Sequence, residues 1–101
     1  MRVFWTEKSE DQLDKIYAYI ALDSPFYARQ TLRKIISQAE KAAVSPLSGR
    51  IVPEMNQEEI REVFHHPYRI IYYLNFSKER IEVLSVLHQA RDFNRNSPLE
   101  D

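Results

Sequence analysis

Four short runs carry the residues capable of chemistry: GRIVPE at 49–54, REV at 61–63, YRIIY at 68–72 and HQAR at 88–91. Arg69 lies inside a β-rich run, and its guanidinium can hold two phosphate oxygens at once. The plainer alternative is an ion pair with Glu62 or Glu82 across a sheet. His88 closes another β-rich run; imidazole titrates near neutrality and suits acid-base work, although a histidine at a strand end is more often simply half-exposed. Glu54 follows Pro53 in what reads as a connector, where it can pair with Arg50 or Arg61.

Other chemistries find little footing. His65 and His66 are adjacent, so in a strand they point to opposite faces, and no third ligand lies nearby in sequence; no metal site is expected. Ser24, Ser45 and Ser85 lack the sharp turn and acid partner of a nucleophilic serine. A single glycine, Gly49, leaves no phosphate-cradling loop, and no cofactor is expected. Gly49 itself is expected to supply a turn with positive φ.

With 101 residues the chain suits one domain, 44% hydrophobic and 12% aromatic, which describes a packed core. Fourteen Lys and Arg against fifteen Asp and Glu give a net charge of −1, so any nucleic-acid contact must be local rather than a broad basic face. The absence of cysteine fits a reducing compartment. Glu7, Glu10, Asp11 and Asp14 interrupt the opening segment, so no signal peptide or membrane span is expected, and the location expected is cytoplasmic.

These residues need elements to position them. Residues 2–5 read as a first strand. Thr6 or Ser9 can cap a helix bearing Leu13, Ile16, Tyr17 and Ile20 on one stripe and ending near Leu22, and Ser9 with Gln12 fits a capping box. Ser24 and Pro25 open a second helix, with Ala28, Leu32, Ile35, Ala39 and Ala42 inward, which ends before Pro46. Residues 59–65, 68–75 and 80–88 then read as a three-stranded antiparallel meander, the last run being an interior strand. Strict alternation puts Ile81, Val83, Ser85 and Leu87 on one face of it and Glu82, Leu84, Val86 and His88 on the other. The fold class expected is α+β, β-α-α-β-β-β, a helical hairpin packed on a small, mainly antiparallel twisted sheet whose opposite face stays open for partners. One domain is expected over 1–93, with a polar C-terminal tail at 94–101.

The four motifs in this order, behind a strand and a helical hairpin, resemble the RelE/ParE superfamily of bacterial type II toxins. Gly49-Arg50 and the REV run resemble the ParE-like branch, the plasmid stabilisation proteins. The resemblance implies a non-enzymatic toxin that binds and poisons a type II DNA topoisomerase, DNA gyrase, and is neutralised by a cognate antitoxin. Its alternative is a RelE-like, ribosome-dependent endoribonuclease cutting mRNA without metal, with Glu54 as general base, Arg69 on the scissile phosphate and His88 as general acid. A third reading is an inactive member retained for antitoxin binding. The chain departs from the nuclease pattern in having no Tyr after His88, and three Glu and no Lys over 51–60.

Under the favoured reading Arg50, Arg61, Arg69 and Arg91 bind the target, and Arg69→Ala weakens growth inhibition far more than folding. Six Tyr and five Phe exceed what so small a core hides. Tyr17, Tyr19, Phe26 and Tyr27, near the turn between the helices, are therefore expected to meet the antitoxin or a second copy of the chain in a homodimer.

Overall fold

Thr6 decides where the first helix begins. Its backbone is extended (φ −68°, ψ 158°) and its hydroxyl accepts the Ser9 N–H at 3.1 Å, satisfying an amide that the helix cannot. The same hydroxyl donates to the Val83 carbonyl at 2.8 Å, tying the helix start to the last strand. Ser9, the alternative cap, is instead buried inside the helix and donates to the Thr6 carbonyl.

The computed structural model describes residues 1–89; Arg91 and the expected tail at 94–101 lie outside the described residues. Strand β1 is Arg2–Trp5, helix α1 is Glu7–Ala21 and helix α2 is Pro25–Val44. Ser24 caps α2 by accepting the Tyr27 N–H at 3.1 Å, with Pro25 in the first turn, where no amide is needed. A 3₁₀ turn over Pro46–Ser48 leads into the two-residue strand β2, Arg50–Ile51, which the sequence did not reveal. Strands β3 (Ile60–His65), β4 (Tyr68–Asn75) and β5 (Arg80–His88) complete the sheet.

The five strands lie in the order β1-β5-β4-β3-β2. β1 runs parallel to β5, with Val3 opposite Ile81, and every other pairing is antiparallel. The architecture is the expected α+β arrangement. Both helices cover one face: Leu13, Ile35 and Ala39 meet Ile70, Val83 and Val86, while Ala42 and Ala43 meet Tyr72, Leu74 and Ile81.

Two expectations about the sheet change. Ile71 lies opposite Ser85 but Tyr72 lies opposite Val83, so Leu84 is an extra residue in β5. This bulge breaks the alternation: Ile81, Val83 and Val86 all face the helices, and Leu87 faces away. The far face is also not left open. Val52, Ile60, Ile71 and Leu87 form a small second core there, under Met55 and Tyr73, because the segment between β2 and β3 folds beneath the sheet.

Beyond the end of β1, a side chain continues the pairing. Gln12 of α1 accepts the Val86 N–H at 2.8 Å and the Ser85 hydroxyl at 3.1 Å through the same oxygen. Gln12 thus does the work of a missing strand rather than of a capping box.

Candidate functional site

Antiparallel register builds the site. The two-residue connection at His66-Pro67 sets Phe64 opposite Arg69 and Glu62 opposite Ile71, and β2 sets Arg50 opposite Glu62. Residues directly opposite one another share a face. Arg50, Glu62, Phe64 and Arg69 therefore gather on the face away from the helices.

There they form a chain of alternating charge. Glu62 Oε2 accepts from Arg50 Nε at 2.9 Å and Nη2 at 2.5 Å, and Glu62 Oε1 accepts from Arg69 Nε at 2.7 Å. The outer edge of Arg69 then holds Glu54 in a two-pronged pair, Nη1 to Oε2 at 2.7 Å and Nη2 to Oε1 at 2.8 Å. The Glu62 side chain is wholly buried, and that of Arg69 is only 8% exposed. Two buried charges are tolerable because each is matched and hydrogen-bonded. Glu54, chiefly through its hydrogen bonds from Arg69, is held below the ordinary carboxyl pKa. The Glu54 pairing, followed by that with Glu62, makes Arg69 a still weaker acid.

Arg50 ends the chain in solvent, its side chain 58% exposed and its guanidinium 5.3 Å from the Phe64 ring centre, a cation–π distance. Arg50, Pro53, Glu54, Phe64, Arg69 and Gln89 line a shallow cleft of about 250 Å³.

The remaining expected residues sit elsewhere. Arg61 pairs with Tyr72 on the helical side of β3, and its guanidinium donates to the carbonyls of Glu58, Leu47 and Gly49 at 2.8, 3.0 and 3.1 Å. It straps the β2 segment to β3. His88 lies opposite Tyr68 and meets its ring edge-on at 6.0 Å between centroids; Tyr68 packs on the helical core. The sheet thus separates His88 from Glu54 and Arg69, because the Leu84 bulge reverses the face His88 would otherwise take. Glu54 pairs with Arg69, not with Arg50 or Arg61.

At the far end of the helical hairpin Tyr19, Leu22, Phe26 and Tyr27 are exposed, and Tyr17 is half-buried. Among the described residues, no cluster of three or more His, Asp or Glu is placed to hold a metal ion. Nor is any described helix long and apolar enough to cross a membrane.

Glu62 is the member the motifs undersold. Its signal was the register: once His66-Pro67 is taken as the turn, Glu62 falls one step along the same face from Phe64 and Arg69.

A two-helix layer thus covers one face of a mixed sheet, and charged residues gather on the opposite face. Residues 3–93 match the family described as the ParE toxin of the type II toxin-antitoxin system, parDE. The chain belongs to the ParE toxin family. Its fold is similar to a chain of the chromosomal ParDE toxin-antitoxin system from P. aeruginosa, with a TM-score of 0.70 and 22% identity, over 87% of this chain and 95% of that one. No curated protein matches significantly.

Proposed function

We propose that this protein is the toxin of a type II toxin-antitoxin module, that it arrests growth by binding and poisoning a type II DNA topoisomerase, gyrase, and that a cognate antitoxin neutralises it in the cytoplasm. Family membership supports the toxin role. The observation that favours binding over RNA cleavage is the disposition of the acid-base set. Arg69 already spends Nε, Nη1 and Nη2 on two carboxylates, and Glu54, with its lowered pKa, is a poor proton acceptor. His88 is on the other side of the sheet. A ribonuclease needs all three around one phosphate.

Of the four arginines assigned to the target, Arg50 is an exposed cation of the cleft, with Arg69 as its buried support through Glu62, and Arg91 lies outside the described residues. Arg61 holds β2, and so Arg50, in register. The antitoxin covers the exposed Tyr19, Leu22, Phe26 and Tyr27, a patch whose burial suits a specific interface of about 1,000 Å² or more.

The test is to supply the purified chain to a gyrase supercoiling reaction and to a translating extract. Lost supercoiling or trapped cleaved DNA, with intact mRNA, is expected; codon-phased mRNA cuts with untouched gyrase would reverse the reading. Sedimentation with the product of the adjacent gene tests the antitoxin.

A further inference from the structure

Three members of the charge chain are locked and one is not. Glu62 is wholly buried and shared by two arginines; Arg69 is held from both sides; Arg50 is anchored through Glu62. Glu54 has a side chain 39% exposed and, among the described residues, takes side-chain hydrogen bonds from Arg69 alone. Its backbone is fixed independently. The Met55 and Asn56 amides donate to the carbonyl of buried Val52 at 3.1 and 2.8 Å, and Asn56 takes φ 49°, a conformation asparagine tolerates better than most residues. The carboxylate can therefore leave by side-chain rotation while the turn that carries it stays in place.

We propose that Glu54 is an internal stand-in for a ligand: the outer fork of Arg69, flanked by Arg50, is a receptor for an aspartate or glutamate side chain of a protein partner, and Glu54 swings out to admit it. The fork presents two parallel N–H groups at the spacing of two carboxylate oxygens, which Glu54 already demonstrates. Among the described residues, two arginines and two glutamates alternate along this chain of charges. With Glu54 out, the two outer N–H groups of Arg69 lose the carboxylate that they hold, and one carboxylate of a partner replaces it.

The surroundings favour a protein over a nucleic acid. A backbone of phosphates calls for several successive cations, whereas the described residues of the cleft supply two, both bonded to Glu62, between the apolar walls Pro53 and Phe64. The inference concerns the chemistry of the ligand and goes beyond the identity of the poisoned enzyme. Its test accordingly reads binding and not supercoiling.

An occupant tethered to its own receptor lowers the apparent affinity of any competitor. The probe is N-acetylglutamate α-amide, a single glutamate side chain, titrated into the full-length protein while the arginine Nε–H resonances are followed by NMR, with dimethyl phosphate at matched ionic strength as the second arm. In Glu54→Ala the Arg69 resonance is expected to saturate at probe concentrations at least about tenfold lower than in the unaltered protein. Glu54→Gln, which keeps the side chain's shape, is expected to shift in the same direction and answers the question if the alanine variant loses its dispersed spectrum. Equal affinity with and without Glu54, or tighter binding of dimethyl phosphate than of the carboxylate, would overturn the proposal.

Discussion

The hydroxyl of Tyr72 occupies the space in which a side chain at Gly49 would begin. Tyr72 is fully buried and donates to the Pro46 carbonyl at 2.8 Å. Gly49 has an ordinary extended backbone (φ −68°, ψ 151°), so the glycine is there for close approach, not for the positive φ that its sequence context suggested. The contact pins the strand β2, and with it Arg50, against the sheet.

Gly49→Ala is expected to destabilise the fold by about 1–3 kcal/mol, the usual range for overpacking. A Cβ would meet the Tyr72 ring at 3.0 Å and the Glu62 carbonyl at 3.1 Å, and a packed ring cannot tilt freely. Adding Tyr72→Phe removes the nearest atom. The double variant should therefore lose less than the sum of the two single variants in urea unfolding; simple additivity would show that the two residues do not collide.

Glu62→Gln is expected to lose about 3–5 kcal/mol, as when one partner of a buried ion pair is removed. Glutamine cannot answer two guanidinium groups with charge. Arg69→Ala belongs with it, since it leaves Glu62 buried with Arg50 alone; the sequence suggested a variant that spares folding, and the burial of Arg69 argues otherwise. Glu54→Ala, at a partly exposed carboxylate, should change stability by less than about 1 kcal/mol. Comparable losses for Glu54→Ala and Glu62→Gln in denaturant titrations would contradict this ranking.

Gln12→Ala removes the acceptor that stands in for β1 beyond its end. The Val86 amide then has no side-chain partner, and its hydrogen exchange should speed up markedly. Stability should fall by about 1–2 kcal/mol, appropriate to a lost hydrogen bond with a stranded donor. Unchanged protection at Val86 would mean that the oxygen of Gln12 is dispensable there.

Acid should lower the stability of the protein over two pH ranges. Burial above all, then the charges of Lys34 and His66, pushes the His65 pKa below its ordinary 6.5. The unfolded chain therefore takes up this proton first, and the stability due to neutral His65 is present above 6.5 and lost as the pH falls through the folded value. Glu54, through Arg69, and Glu82 lie below the ordinary 4.5; at Glu82 burial would raise the pKa, but hydrogen bonds from Asn75 and Arg80 outweigh it. Their contribution is complete above 4.5 and disappears as the pH drops through the lowered values. Urea midpoints across pH should show both steps, and His65→Gln should remove only the upper one.

Local patterning was enough to place the elements that announce themselves. The period of two in YRIIYYLN, the Ser24-Pro25 helix start and the polar break at 76–79 fixed α2, β4 and β5 at bounds that the structure reproduces. Features requiring a partner from far along the chain did not show. The bulge at Leu84 arises where β5 must serve β4 on one edge and β1 with Gln12 on the other, and no residue type marks it. Glu54 reached Arg69 only through the fold of the segment between β2 and β3, whose second small core has no periodic signature. The exposure of Tyr19, Phe26 and Tyr27 was legible because their helical spacing leaves them off the stripe that meets the sheet.

The parallel pairing of the first strand with the fifth sets an order of assembly. Thr6 meets Val83 across 77 positions of sequence, so β1 has no edge to join until β5 has been synthesised. The hairpin of α1 and α2 is made early, and its apolar stripe must wait for a sheet made almost entirely after it. Such non-local closure slows folding and leaves hydrophobic surface uncovered on a growing chain. The sheet, and with it the cleft that holds Arg50 and Arg69, is therefore completed only after the end of the meander has left the ribosome.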